Sequence, residues 1–392
     1  MKSVYIVSVS RTPIGSFGGA LSSMQATDLG AHSIRAALNK ISLDPMAIEE
    51  VIYGNVCQAN LGQAPARQAA LGAGLSPEVV TSTINKVCAS GMKATALGSQ
   101  SIELGQNGLI VTGGMESMSN IPFYLPNMRW GQKYGHVQAL DGLAKDGLTD
   151  VYAQQPMGVF ADQTAKEFNI SREEQDEYAI NSYKKVQIAT LEGKYSAEID
   201  PIGIPQRRGE PILMTEDEEF KNVNFEKIAG LRPAFSKDGT VTAANSSTIN
   251  DGAATLVLAS EEKVKQYNLT PLARIVSYAD AEQAPEWFTT APTEAAPKAL
   301  KRAGLTLNDM DFYEVNEAFA VVAMTFIQKM KIDPAKVNIY GGAVALGHPL
   351  GCSGARIITT LLSALRNESG KYGLAAICNG GGGASAVVIE RL

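Results

Sequence analysis

A chain of 392 residues with 45% hydrophobic and 19% charged residues has apolar material for more than one packed unit, and its 37 glycines point to many tight turns or close backbone approaches. The net charge of -6 excludes a general affinity for nucleic acid or an anionic membrane, so an anionic ligand has to find a local basic patch. The longest apolar run, AFAVVAMTFI (318–327), falls well short of the ~18 residues of a membrane span, and the opening MKSVYIVSVSRTP reads as a first strand rather than an export signal, so a cytoplasmic location is expected.

Strand-like and helix-like runs alternate up to residue 118: VYIVSV, TDLGAHSIRAALNK, EEVIYGNV, APARQAALGA, VTSTINKV, a helix after Cys88, and GLIVTGG. This is the rhythm of βαβ units. Residues 119–249 break it with a Pro-rich, aromatic segment (NIPFYLPNMRWGQKYG), one helix signal (SREEQDEYAINSYKKVQIATLEGKY, with Ser171 as N-cap) and a charged run (TEDEEFK). An insertion this long with weak periodicity is expected to form an ordered cover over a site. DGAATLVLASEEKVKQY (251–267) then completes the first half, and the rhythm returns as LARIVSYA, TEAAPKALKRAG, DFYEVN, EAFAVVAMTFIQKM, KVNIY, GARIITTLLSAL, GLAAICN and SAVVIE.

The second run overlays the first at an offset of 262 to 265. Ala37, Leu38, Lys40, Leu43 and Ile48 fall on Ala299, Leu300, Arg302, Leu305 and Met310; Ser90 and Gly91 fall on Ser353 and Gly354; Gly108 and Leu109 fall on Gly373 and Leu374. The pattern predicts a duplicated α/β fold, with residues 1–118 plus 250–268 as one half, 269–392 as the other, and 119–249 as an inserted loop domain.

Four cysteines without C-x-x-C spacing suggest neither a disulfide framework nor a zinc site. In a doubly wound sheet, ligands bind beyond the carboxyl ends of the strands, and four chemically capable residues fall there: Cys88, Asn316, His348 and Cys378. A thiol at a helix N-terminus has its thiolate favoured by the dipole and by free N–H groups, so Cys88 is either a nucleophile or a small packed residue. His348 lies in a Gly-rich connection before Pro349 and is the histidine placed for base work, whereas His32 and His136 read as solvent-facing or packed, and Cys57 and Cys352 as structural. The run Gly380 to Gly383 is either a flexible turn or backbone turned toward developing negative charge. No nucleotide-binding glycine fingerprint is present.

With these residues in view, the sequence resembles the thiolases from end to end, and within them the acetyl-CoA acetyltransferase branch. The motifs are NKVCASGMKA (85–94), GGMESMS (113–119), NEAFA (316–320), GGAVALGHPLGCSGAR (341–356) and CNGGGGASA (378–386). The resemblance implies duplicated βαβαβαββ domains in a layered α/β arrangement with an inserted loop domain. It also implies a reversible Claisen condensation of two acetyl-CoA to acetoacetyl-CoA plus CoA through an acetyl-cysteine.

By the same resemblance Cys88 takes the acetyl group with His348 activating its thiol, and Cys378 removes a proton from the second acetyl-CoA. His348 and a water fixed by Asn316 hold one oxyanion, and the N–H groups of Cys88 and Gly380 the other. Leu148, Met157, Ser247, Ala318 and Phe319 match pantetheine-tunnel positions, and Lys221 and Lys227 are either contacts for the CoA phosphates or adenine or two solvated lysines. No cofactor is obligatory; some relatives bind potassium, and the matching positions are Tyr183, Ala243, Ala244, Ser246 and Val344. A homotetramer or homodimer is implied. Pro156 stands where many relatives have histidine, which bears on acyl preference. The alternative is a degradative 3-ketoacyl-CoA thiolase of broader chain length, against which the loop around Phe123, Tyr124, Met157 and Phe319 suggests a short acyl pocket.

Overall fold

The computed structural model describes residues 2–392. One twisted sheet runs through the molecule in the order Phe312–Val315, Tyr372–Asn379, Gly383–Arg391, Ala273–Glu282, Val4–Arg11, Asn250–Ser260, Leu109–Ser117, Glu50–Gly54, Val80–Ile84, with the short Gly15–Ser16 pairing Asn250–Ser260. The two halves meet where Val4, Tyr5 and Ile6 pair antiparallel with Ile275, Arg274 and Ala273.

Outward from that seam, each half repeats the same pairings. Val4–Arg11 pairs antiparallel with Asn250–Ser260, which pairs antiparallel with Leu109–Ser117, which pairs parallel with Glu50–Gly54. Ala273–Glu282, Gly383–Arg391, Tyr372–Asn379 and Phe312–Val315 do the same. Even the irregularities match. A register shift falls between Ile6 and Ser8 in one half and between Ile275 and Ser277 in the other. At each bulge the serine hydroxyl donates to a helix carbonyl, Ser8 to Ala37 at 2.6 Å and Ser277 to Ala299 at 2.7 Å, and Ala37 and Ala299 are a pair the sequence overlay aligned. The duplication therefore extends to a hydrogen bond. One expected strand is missing: KVNIY is reduced to a single parallel bridge, Tyr313 to Val337, because a 3-10 turn (Pro334–Lys336) precedes it and leaves too little extended chain.

Side chains alternate across each strand, so each half of the sheet has two apolar faces. Val7, Val111 and Val257 face outward under helices Ala26–Asn39 and Pro65–Gly72, and Leu374, Ala376 and Val388 face outward under Pro292–Ala303 and Ala320–Met330. Their neighbours Ile6, Ile110, Leu256, Ile275, Ile377 and Ile389 face inward onto a central layer made by helices Ser90–Glu103 and Leu350–Asn367. With the two halves of the one sheet on either side of those helices, the result is five layers: helix, half-sheet, helix, half-sheet, helix.

The central helices touch through glycines at equivalent positions. A Cβ on Gly91 would stand 2.9 Å from Ala355 N and Gly351 O, and one on Gly354 would run into the backbone nitrogen of Met92. This crossing places the start of each helix, and whatever precedes it, at one point between the sheets.

The insertion is ordered. Helix Arg172–Leu191 starts at Ser171 with a capping box to Glu174, as its sequence predicts. Helix Met157–Glu167 and two small hairpins, Phe123–Tyr124 with Leu140–Asp141 and Ile202–Ile204 with Ile212–Met214, were not legible from periodicity. Arg11, wholly buried in the first strand, holds the insertion down with a bond to Glu198 at 2.7 Å and a bidentate pair to Asp217 at 2.7 and 2.9 Å. No helix among the described residues is long and apolar enough to cross a membrane.

Gly354→Ala is expected to cost about 1–3 kcal/mol, because neither helix backbone can retreat from between two sheets, while Gly230→Ala, with nothing nearer than 3.7 Å, changes stability by less than about 0.5 kcal/mol. Urea midpoints of the two variants check this; equal midpoints would contradict the crossing.

Candidate active site

The turn before helix Ser90–Glu103 is built by its own side chains. Val87 N donates to Asn85 Oδ1 at 2.9 Å, Lys86 N donates to Ser90 Oγ at 2.8 Å, and Ser90 Oγ donates to Val87 O at 2.6 Å. Val87 is held at φ +47, a conformation that β-branched residues rarely adopt, so the turn carries backbone strain at the position before Cys88. Cys88 is half-buried and lines a cavity of about 560 Å³.

The thiol does not have the lowered pKa that its place before a helix suggested. Burial pushes it up to about 12, and the backbone N–H groups of Gly380 and of Cys88 itself offset this only in part. Desolvation outweighs the dipole. The same N–H groups nevertheless converge on the sulfur, and they belong to opposite halves of the fold. Gly380 opens a three-residue hairpin loop between Asn379 and Gly383, in which Gly381 at φ +89 and Gly382 at φ +92 require glycine.

His348 lines the same cavity. Its Nδ1 lies 2.6 Å from Ser353 Oγ, whose hydroxyl is also 2.8 Å from Pro349 O. A hydroxyl has one proton; donating it to Pro349 O leaves Ser353 to accept from Nδ1–H, which makes Nε2 the bare nitrogen. Asn316 Nδ2 approaches Nε2 at 3.5 Å, and Asn250 Oδ1 accepts from His348 N at 2.9 Å, fixing the loop. Burial, and then the positive charge of Arg356, lowers the imidazole pKa to about 3, so the ring is neutral at neutral pH. Asn316 is wholly buried and its Oδ1 has no protein partner. Cys378 ends its strand wholly buried, and desolvation, with Cys88 nearby, raises its thiol well above the usual range.

Leu148, Met157, Ser247, Ala318 and Phe319 line the cavity, and so do Ala243 and Ser246. Lys221 and Lys227 do not. Lys221 pairs with Glu216 at 2.8 Å beside the cavity residues Glu219 and Asn222, and Lys227 is exposed. Tyr183 and Val344 share an apolar cluster outside the cavity, and Ala244 is buried without lining it. Phe123 and Tyr124 are also absent from the wall; Phe123 is 65% exposed in a hairpin. Pro156 caps helix Met157–Glu167 from an exposed position and leaves Met157 to face the cavity.

The aromatic wall comes instead from Phe235 and Phe288, each edge-on to Phe319 at 5.9 and 6.4 Å, and from Phe17. These segments are far apart in sequence and carry no motif. Two carboxylates also escaped sequence reasoning. Glu116 accepts from Val56 N, Cys57 N, Gly351 N and Asn55 Nδ2, and burial still raises it to about 7. Glu317 accepts from Tyr178, Ser182, Asn338 and Val344 N, tying the helix Arg172–Leu191 to the loop before His348. Their place inside GGMESMS and NEAFA was the available signal.

Family models for the thiolase N-terminal domain and the thiolase C-terminal domain match residues 4–262 and 269–391. The chain belongs to the thiolase family. Relatives of this thiolase include the protein named acetyl-CoA acetyltransferase ERG10, cytosolic, of Gibberella zeae, 54% identical over 99% of this chain and 98% of that one, and the acetyl-CoA acetyltransferase of Saccharomyces cerevisiae, 54% identical over 100% of both. Among solved structures, the Acat5 thiolase from Ascaris suum in complex with coenzyme A is 47% identical, covers 100% of both chains and superimposes with a TM-score of 0.95. The five-layered duplicated fold of this chain is the thiolase fold.

The neutral, Nδ1-protonated state of His348 is open to 15N NMR. The Nε2 shift of a bare nitrogen is expected to persist from pH 8 down to about 4, with protonation centred near 3; a midpoint near 6.5 would contradict it. Since the folded value lies below the unfolded ~6.5, the unfolded chain takes up the proton first and this residue costs stability as pH falls from about 6.5 toward 3.

Proposed function

We propose that this thiolase is an acetyl-CoA C-acetyltransferase, condensing two acetyl-CoA to acetoacetyl-CoA and CoA, and that Cys88 carries the acetyl group. The observation that carries the reading is one apolar cavity lined by the Cys88 thiol, which two backbone N–H groups reach, and by the neutral imidazole of His348. A thiol held near 12 does not ionise alone at neutral pH, so proton removal by His348 Nε2 is concerted with attack of the sulfur on the thioester carbonyl. The N–H groups of Cys88 and Gly380 receive the developing oxyanion.

The protons form a closed circuit. Cys88 gives its proton to His348, the C–S bond of acetyl-CoA breaks, and the departing CoA sulfur takes a proton from Cys378. Cys378, protonated at rest, becomes a thiolate only then and removes a proton from the methyl of the second acetyl-CoA. The carbanion forms the new C–C bond with the acetyl carbon, the bond to Cys88 breaks, and Cys88 recovers its proton from His348. Asn316, whose buried Oδ1 is unpartnered, accepts a hydrogen bond from a water whose other proton faces the thioester oxygen beside His348.

Residues 119–249 serve as the substrate-binding cover, with Leu148, Met157, Ser247, Ala318 and Phe319 around the pantetheine arm. The Phe235–Phe319–Phe288 wall and Met157 close the acyl end and favour a two-carbon group over the longer chains of a degradative 3-ketoacyl-CoA thiolase. With Lys221 paired to Glu216, basic contact to CoA falls to a rearranged Lys221 or to Lys227. Among the described residues no His/Cys/Asp/Glu cluster could hold a metal, so a potassium ion near Ala243, Ala244, Ser246, Tyr183 and Val344 would rest on carbonyl and hydroxyl oxygens. A cytoplasmic homotetramer is the proposed state, supported for location by the likeness to a relative named cytosolic.

Intact mass and peptide mapping after mixing with acetyl-CoA, and separately with a long-chain acyl-CoA, test the reading. An acetyl group on Cys88 that added CoA removes, with little long-chain adduct, is expected. Equal long-chain labelling would move the assignment to the degradative enzyme, and no adduct would remove it.

A further inference from the structure

Condensation needs the sulfurs of Cys88 and Cys378 to act on the same pair of carbons, yet they come from different halves of the fold. Cys88 and His348 are set against each other by the helix crossing, since Gly91 follows one by three residues and Gly354 the other by six. The crossing helices pack on the strand of Cys378 through Ile377, whereas Cys378 itself points to the opposite, outer face of that strand.

Lys86, two residues before Cys88, reaches the hairpin that bears Cys378. Its Nζ donates to Ala384 O at 3.0 Å and to Ser385 Oγ at 3.2 Å, and pairs with Asp280 and Glu282 at 3.3 Å each. Ala384 is the ladder partner of Cys378, and Ser385 that of Ile377. Asp280, ladder partner of Ser385 on the next strand, accepts from the Ser385 hydroxyl and pairs with Lys93 at 2.7 Å, one turn into the helix after Cys88. The Lys86 side chain is 18% exposed and that of Lys93 27%, so the cluster is less screened than a surface pair. A strained Val87 lies between Lys86 and Cys88, so motion of the lysine passes directly to the nucleophile.

We propose that Lys86, with Asp280 and Lys93, is a clasp that fixes the Cys88 turn against the hairpin bearing Cys378, and that Lys86 is a positioning residue for carbon–carbon bond formation. The inference rests on the thiolase chemistry proposed above and adds a residue that sets one step of it. Positioning errors of about 1 Å cost on the order of 100-fold in rate, whereas loss of an ion pair alone affects only stability.

Wild type, Lys86→Met, Lys86→Arg and Asp280→Asn are compared by two rates, CoA release as Cys88 is acetylated in a single turnover, and acetoacetyl-CoA formation when acetyl-CoA is added to the acetyl-enzyme. For Lys86→Met, acetylation is expected to fall by no more than about threefold, because Gly380 shares the hairpin and Cys378 there gives its proton to a departing thiolate that is free to move toward it, while condensation, in which Cys378 must reach a methyl held against the acetyl group on Cys88, falls by about 30-fold or more; Lys86→Arg, which keeps the charge, recovers most of it. Asp280→Asn shows the same split in milder form and carries the comparison if Lys86→Met does not fold. Equal losses in both rates, or no loss in either, would overturn the clasp. A wild-type enzyme that takes up no acetyl group would overturn the proposed function and the clasp with it, so the two failures are told apart in one experiment.

Discussion

The site depends on the contact of two helices without side chains between them. Gly91 and Gly354, at equivalent places in the two halves, let Ser90–Glu103 and Leu350–Asn367 approach to backbone distance. A duplicated fold would otherwise hold its two catalytic edges apart by the width of an ordinary helix pair, ~8–10 Å between axes. Glycine at both positions shortens that separation, so the turn that ends in Cys88 and the loop that carries His348 open into one cavity. Ser353, next to Gly354, then orients the imidazole, so the helix turn that makes the crossing also carries the hydroxyl that selects the tautomer.

The same closeness removes water, and dehydration sets the protonation states. Both thiols are raised and the imidazole is lowered, so every reacting group is neutral at rest. Charge appears only with substrate, where backbone N–H groups are already in place to receive it, and this is the condition under which such donors are worth most. In the proposed mechanism, the requirement that Cys378 first lose a proton ties the second half-reaction to completion of the first.

Much of this was legible in the sequence because the informative residues are scarce and sit at strand ends. Cys88, Asn316, His348 and Cys378 were found by asking which thiol, imidazole and amide follow a strand, and the duplicated pattern of Ala37 with Ala299 predicted an overlay that extends to the bulge serines. The direction of the Cys88 pKa was not legible: the helix terminus is a local feature, but burial depends on Met118, Leu143 and Leu350, which arrive from elsewhere in the chain. The aromatic wall escaped for the same reason, and Phe123 and Tyr124, read as part of it, turn outward in a two-residue-strand hairpin. KVNIY has the composition of a strand and lacks only the length, because Pro334 starts a turn too close to it.

The most direct test of the account is a crystal structure of the enzyme trapped with acetyl-CoA at low pH. The account predicts an acetyl group on Cys88 Sγ, its carbonyl oxygen within about 3 Å of both Cys88 N and Gly380 N, with the Gly91–Gly354 contact unchanged. An acetyl group on Cys378, or a carbonyl oxygen turned away from those two nitrogens, would contradict it.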